Sequence, residues 1–140
     1  MNVKTMLFIM NPFAGQKRAN RVLPDILLLF SQAGYDMHTV MTTGTGAATR
    51  AAQALGGDVD LVVCCGGDGT LNETITGLLR AGVQTPLGYI PTGTTNDFAA
   101  SLGLSHNPVQ AAKDILGGEV HTYDAGRFGA RYFSYVASFG

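Results

Sequence analysis

The chain has 140 residues, 46% of them apolar, which is enough for one globular domain with a proper core. Nine basic residues against 10 acidic ones leave a net charge of −1, which excludes the broad basic field that a nucleic-acid partner needs, so any anion site must be local. The apolar N-terminal run, residues 6–10, is too short for a signal segment or a bilayer span, and the neighbours Cys64 and Cys65 would point to opposite faces of a strand, so a reduced, cytoplasmic protein with no transmembrane segment is expected.

Met6-Leu7-Phe8-Ile9-Met10 reads as a strand buried on both faces of a parallel sheet, ending at Asn11-Pro12-Phe13-Ala14-Gly15. A helical stretch over 16–33 follows, in which Pro24 should kink or restart the helix with Asp25 in the new first turn, and Gly34 should end it. Its segment Ile26-Leu27-Leu28-Leu29-Phe30 is apolar all round and predicts a helix wedged between the sheet and its neighbours. Residues 35–42 alternate as a strand of intermediate burial, and Thr43-Gly44-Thr45-Gly46 leads into an alanine-rich helix over 47–55. Gly44-x-Gly46 lacks the third glycine of a dinucleotide fingerprint, and no loop carries the P-loop pattern.

The chain is organised around Val62-Val63-Cys64-Cys65-Gly66-Gly67-Asp68-Gly69-Thr70-Leu71-Asn72-Glu73. Residues 61–65 are continuously apolar, as a central strand should be. Gly66, Gly67 and Gly69 can take φ > 0 and carry no Cβ, so backbone N–H groups can face a bound anion at close range. Thr70 and Glu73 have the spacing of a capping box that would start a helix from Leu71 to about Ala81 and aim its positive end at the same spot. Asp68 stands out, because a carboxylate repels phosphate unless a divalent cation lies between them, which points to Mg²⁺ with a nucleotide.

Residues 86–90 form a short strand, and Pro91-Thr92-Gly93-Thr94-Thr95-Asn96-Asp97 is a third polar, glycine-bearing loop after a strand, with a short helix expected over 98–102. Strands alternating with helices build parallel sheets by right-handed crossovers, so these loops should emerge on one carboxyl edge and converge on one cleft. Pro108 opens another helix to Leu116, with Asn107 or Ser105 as cap and Gly117-Gly118 as stop. Strands over 120–125 and 131–139 joined by a turn at 128–130 then change the character of the chain, which reads as an α/β unit, 1–122, followed by the first strands of a β-rich domain, 123–140. The apolar strand over 131–139, left without partners, would either pair with a second copy, as in a homodimer, or stay disordered. His38, His106 and His121 lie in unrelated segments without metal-ligand spacing.

Gly66-Gly67-Asp68-Gly69-Thr70 with Asn72-Glu73, Asn11-Pro12-x-x-Gly15, and Pro91-x-Gly93-Thr94-x-Asn96-Asp97-Phe98 together resemble the catalytic domain of the diacylglycerol kinase family, with the bacterial soluble lipid kinases as the nearest branch. The resemblance covers nearly the whole chain. It implies a three-layer α/β domain with a parallel sheet that holds ATP and Mg²⁺, followed by a β-sandwich that completes the cleft and supplies the catalytic base. Carried over by position, Asn11, Pro12, Phe13, Ala14, Gly15 and Thr42 would face the nucleotide, Gly66, Gly67, Asp68, Gly69, Thr70, Leu71, Asn72 and Glu73 would hold the phosphates, Thr94 would add a hydroxyl, and Asp68 and Asp97 would serve in the metal and water network as catalytic and metal residues. Where many relatives look to have a lysine after the first loop's glycine, this chain has Gln16, then Lys17 and Arg18. The implied activity is transfer of the γ-phosphate of ATP to a lipid hydroxyl at the membrane surface, with diacylglycerol as the default acceptor. A nicotinamide-dinucleotide kinase, which looks to share the Gly-Gly-Asp-Gly-Thr core, and a nucleotide-binding module without activity are the alternatives.

Overall fold

A computed structural model describes residues 3–93, 103–124 and 132–137. One six-stranded sheet runs through it: β1 (Lys4–Met10), β2 (Tyr35–Met41), β3 (Leu61–Gly66), β4 (Leu87–Pro91), β5 (Glu119–Asp124) and β6 (Tyr132–Ala137), in the spatial order β2-β1-β3-β4-β6-β5. The first four strands are parallel, with Met6 opposite Met37 and Leu61, and Val62 opposite Leu87. β3 is central and buried along its whole length, in keeping with its unbroken apolar run.

The continuous apolar strands feed two cores, one on each face of the sheet. Leu7, Ile9, Val62 and Cys64 face α2 (Ala47–Leu55) and α3 (Asp68–Ala81), and pack with Ala48, Ala52, Leu71, Ile75 and Leu78. Met6, Phe8, Met10, Val63 and Cys65 face α1 (Leu23–Gln32) and α4 (Pro108–Leu116), and pack with Ile26, Phe30, Ala112 and Ile115. Period-2 side-chain alternation thus divides each central strand between the two helix layers. The expected three-layer α/β architecture is the one observed. α2 and α3 lie backbone-close on their shared face: a side chain at Gly77 would run into the Thr49 carbonyl and Ala52.

Pro24 sits in the first turn of α1 with Asp25 beside it, and the stretch before it, Ala14–Arg21, is 3-10 helix, so the chain restarts there as expected. The helix is not buried all round: Ile26 and Phe30 are in the core, but Leu28 is 54% exposed, because the sheet covers only one side of α1. Asn107 caps α4, its Oδ1 accepting the Gln110 N–H at 3.1 Å, and Ser105 Oγ accepts the Asn107 N–H at 3.1 Å.

β5 and β6, the expected opening of a β-rich unit, form an antiparallel hairpin that joins this sheet. Tyr135 of β6 lies parallel to and opposite Leu87 of β4, and Glu119 of β5 opposite Ala137. The strand expected to show an unpaired edge is therefore flanked on both sides, and the outer edge belongs to β5. The 122/123 boundary falls within β5. The turn at 128–130 and the helix expected over 98–102 lie outside the described residues. Among the described residues, no helix is long and apolar enough to cross a membrane.

Candidate functional site

At the carboxyl edge each strand's ladder is carried one residue further. The Asn11 N–H donates to the Cys65 carbonyl at 2.9 Å, Thr42 N–H to Met10 at 2.8 Å, and Thr92 N–H to Gly66 at 2.9 Å. The four loops leaving β1 to β4 consequently begin at one level and meet. Above them lies a cleft of about 330 Å³ lined by Asn11 and Phe13, by Thr42 to Thr45 with Ala48, and by Gly69, Thr70 and Glu73.

The first loop is shaped by Asn11 and Gly15. Asn11 Oδ1 accepts the Phe13 N–H at 3.0 Å, a local side-chain turn that leaves Phe13 67% exposed at the mouth of the cleft, with Pro12 and Ala14 half-buried beside it. Gly15 has φ +58, and a Cβ there would run into the Thr92 carbonyl. Glycine is required twice over, by conformation and by the close approach of the first and third loops. Lys17, itself at φ +64, holds its ammonium 5.6 Å from the centre of the Phe13 ring, within the range of a cation–π contact.

The central loop departs from expectation in two ways. Gly66, Gly67 and Gly69 do not adopt positive φ; Gly67 is extended at φ −88, ψ −176, a conformation open to any residue. Their lack of a Cβ matters for packing. At Gly66 a Cβ would stand 2.6 Å from Thr70 Oγ1, at Gly67 it would meet Gly93 Cα at an ordinary 3.6 Å, and at Gly69 it would meet nothing within 4 Å. Secondly, α3 starts at Asp68 rather than Leu71, and the capping box does not form: Gly67 is the cap and supplies no side chain. Gly69 and Thr70, in the first turn of α3, line the cleft, which puts the N-terminal end of this helix at its wall. Leu71 is in the core and Asn72 is exposed, so the side chains expected at the phosphates are not all on one surface.

Asp68 lies beside the cleft, against β4. Tyr89 donates its phenol proton to Asp68 Oδ1 at 3.2 Å and to the Gly66 carbonyl at 3.3 Å. Burial above all, then the Coulombic cost of a phenolate beside the titratable groups of Cys64 and Asp68, pushes the phenol well above its ordinary range, so it stays a donor. Cys64 and Cys65 are free and buried as expected; burial pushes both thiols up, Cys65 to about 12. Among the described residues no group of three or more His, Cys, Asp or Glu side chains converges as a metal site. Thr94 and Asp97 lie outside the described residues. The three histidines stay apart: His38 and His106 are exposed, and the His121 ring lies 5.5 Å from that of Tyr135.

Glu73 has a different partner from the one its spacing predicts. Its Oε1 accepts the N–H groups of Gly46 at 3.1 Å and Ala48 at 3.3 Å, at the start of α2. The loop 43–46 is accordingly a wall of the cleft, a role sequence reasoning missed. A signal was available, since this loop leaves a strand of the same parallel sheet, and Gly46 opens a helix with no side chain of its own to cap it.

Comparison with known proteins agrees with this fold. The chain is 39% identical over 140 aligned residues to the diacylglycerol kinase of Bacillus subtilis (strain 168), covering 99% of this chain and 46% of that protein. It is 37% identical over 138 residues to the diacylglycerol kinase of Staphylococcus saprophyticus, covering 98% and 45%. The crystal structure of a diacylglycerol kinase from Bacillus anthracis superposes with a TM-score of 0.78 at 36% identity, over 87% of this chain and 45% of that one. The chain thus spans under half the length of the relatives it matches. The family model described as the diacylglycerol kinase catalytic domain matches residues 5–128, and on that match and these likenesses the chain belongs to the diacylglycerol kinase catalytic domain family.

Proposed function

We propose that this chain is the nucleotide-binding part of an ATP- and Mg²⁺-dependent lipid kinase that passes the γ-phosphate to a lipid hydroxyl, with diacylglycerol as the acceptor and phosphatidic acid as the product. The observation that carries the reading is the cleft itself, where a helix N-terminus without a side-chain cap, a glycine with free space above it and the strand-end Asn11 and Thr42 share one lining. Helix N-termini attract phosphate through unpaired N–H groups and the helix dipole. Asn11, Thr42 and the loop 11–15 would bind the nucleoside side, Gly66 to Asn72 the phosphates, and Thr94 would add a hydroxyl, while Glu73 is engaged with the start of α2.

Mg²⁺ takes one or two carboxylates and completes its shell with water and phosphate oxygens, so Asp68, with Asp97, suits it without a larger acidic cluster. When bound, it neutralises charge on the phosphate oxygens. Asp68 is held for this task by the Tyr89 phenol. What the chain itself contributes is positioning and charge stabilisation.

Residues 123–140 would lead into a second, β-rich domain carrying the base that deprotonates the acceptor hydroxyl. Action at the cytoplasmic membrane surface, and a homodimer, belong to the same reading. The outer edge of β5 is the surface on which a second copy would pair. A kinase assay on the full-length protein, with diacylglycerol, a sphingoid base and NAD as parallel acceptors, tests the proposal; phosphorylation of diacylglycerol is expected, and transfer to NAD alone would overturn it. The 140-residue chain should bind ATP·Mg weakly and transfer nothing, and lipid phosphorylation by it alone would overturn the two-part reading.

A further inference from the structure

We infer that Glu73 fixes the direction in which the nucleotide lies, by closing the N-terminus of α2 and building the nucleoside wall of the cleft rather than by holding phosphate. The inference rests on reading the cleft as a nucleotide site. Two helices begin at that cleft, with Gly69 and Thr70 of α3 and Ala48 of α2 in its lining, and the N-terminus of each would attract an anion. The α2 end is already taken. Glu73 Oε1 accepts the Gly46 and Ala48 N–H groups at 3.1 and 3.3 Å, and Thr49 Oγ1 donates to the Glu73 carbonyl at 2.9 Å, so one residue of α3 ties down the first turn of α2 with both its side chain and its backbone.

Gly46, at φ +83, has no side chain with which to cap α2, which leaves this helix start dependent on Glu73. A carboxylate seated on those amides also repels phosphate. The phosphates are left with the α3 end at Gly69 and Thr70, and the nucleoside with the wall formed by Thr43, Gly44, Thr45 and Ala48. Glu73 is therefore a positioning residue: it acts on the nucleotide through the loop 43–46.

Calorimetry on the 140-residue chain separates the two halves of the ligand, with ADP as one probe and inorganic tripolyphosphate, which has no nucleoside, as the other. Glu73→Ala removes the cap and should weaken ADP about tenfold, while tripolyphosphate affinity stays within about twofold. Glu73→Gln keeps an oxygen that can accept from the same amides and should restore ADP affinity to within about threefold of wild type. An equal loss for both probes, or undiminished ADP binding by Glu73→Ala, overturns the assignment. Amide exchange at Gly46 and Ala48, faster in Glu73→Ala and restored in Glu73→Gln, tests the cap without any ligand, and unchanged exchange rejects it. A wild-type chain that binds tripolyphosphate but not ADP overturns the nucleotide reading, and the assigned direction with it, while the exchange data still decide the cap. If Glu73→Ala loses the fold, Glu73→Asp, one methylene short of the amides, takes its place.

Discussion

Gly69 separates a glycine kept for packing from one kept for a ligand, because a substitution there should move stability and binding in opposite directions. It lies in the first turn of α3, exposed, without positive φ, and a Cβ built on it meets nothing within 4 Å. Alanine in a helix is favoured over glycine by about 0.5–1 kcal/mol, and valine by about 0.3 kcal/mol. For a domain of this size, Gly69→Ala should raise the melting temperature by about 1–3 °C and Gly69→Val should leave it nearly unchanged. The space above Gly69 is the cleft, so the same side chain would push a bound phosphate off the first-turn amides. A hydrogen bond to a charged group contributes about 1.5–3 kcal/mol, so losing one should weaken ADP about 10- to 100-fold. Differential scanning calorimetry gives the first quantity and titration calorimetry with ADP·Mg the second. ADP affinity within twofold of wild type in a folded Gly69→Val chain would show that phosphate does not lie there, and a melting point lowered by several degrees would show that the position is packed after all.

At Gly15 the expected outcome is the reverse in stability: Gly15→Ala meets a left-handed φ costing about 1–2 kcal/mol before the overlap with the Thr92 carbonyl is counted, so the urea midpoint should fall clearly, and an unchanged midpoint would contradict the close approach of the two loops. Asp68→Asn in the full-length protein should keep the fold and lose about two to three powers of ten in turnover, while near-normal rates would remove Asp68 from the chemistry. The buried thiols give a pH dependence. Their folded pKa values lie above those of the unfolded chain, so the folded state holds its protons more tightly; stability is full below about pH 8.5, the unfolded thiol value, and falls as pH rises toward the folded values. Urea titrations at pH 8 and pH 10 should show the loss, Cys65→Ala should roughly halve it because Cys64 remains, and equal midpoints at the two pH values in wild type would count against the burial of these groups.

Much of this molecule is determined by local chemistry that a linear reading can follow. Unbroken apolar runs at 6–10 and 61–65 mark strands covered on both sides, Pro24 and Gly34 bound α1, Asn107 caps α4, and strand-helix alternation forces the loops onto one carboxyl edge. These features depend on near neighbours, on side-chain period, or on the handedness of crossovers, all of which the order of residues carries. The partners of Glu73 and the purpose of the glycines are of another kind. Thr70 and Glu73 have the spacing of a capping box, yet Glu73 reaches α2, because Gly77 lets α2 and α3 approach until the Gly46 and Ala48 amides come within range of that carboxylate. Gly15 and Gly66 are required by the Thr92 carbonyl and the Thr70 side chain, which a sequence places far off or on the next turn without saying that they touch. The β5–β6 hairpin reads as the start of something new, and that it also extends this sheet is not legible in the sequence, since β4 offers an open edge that only the assembled sheet displays. Period and propensity act along the chain, whereas these contacts exist only after the layers have packed and their spacing is set by the smallest residues between them.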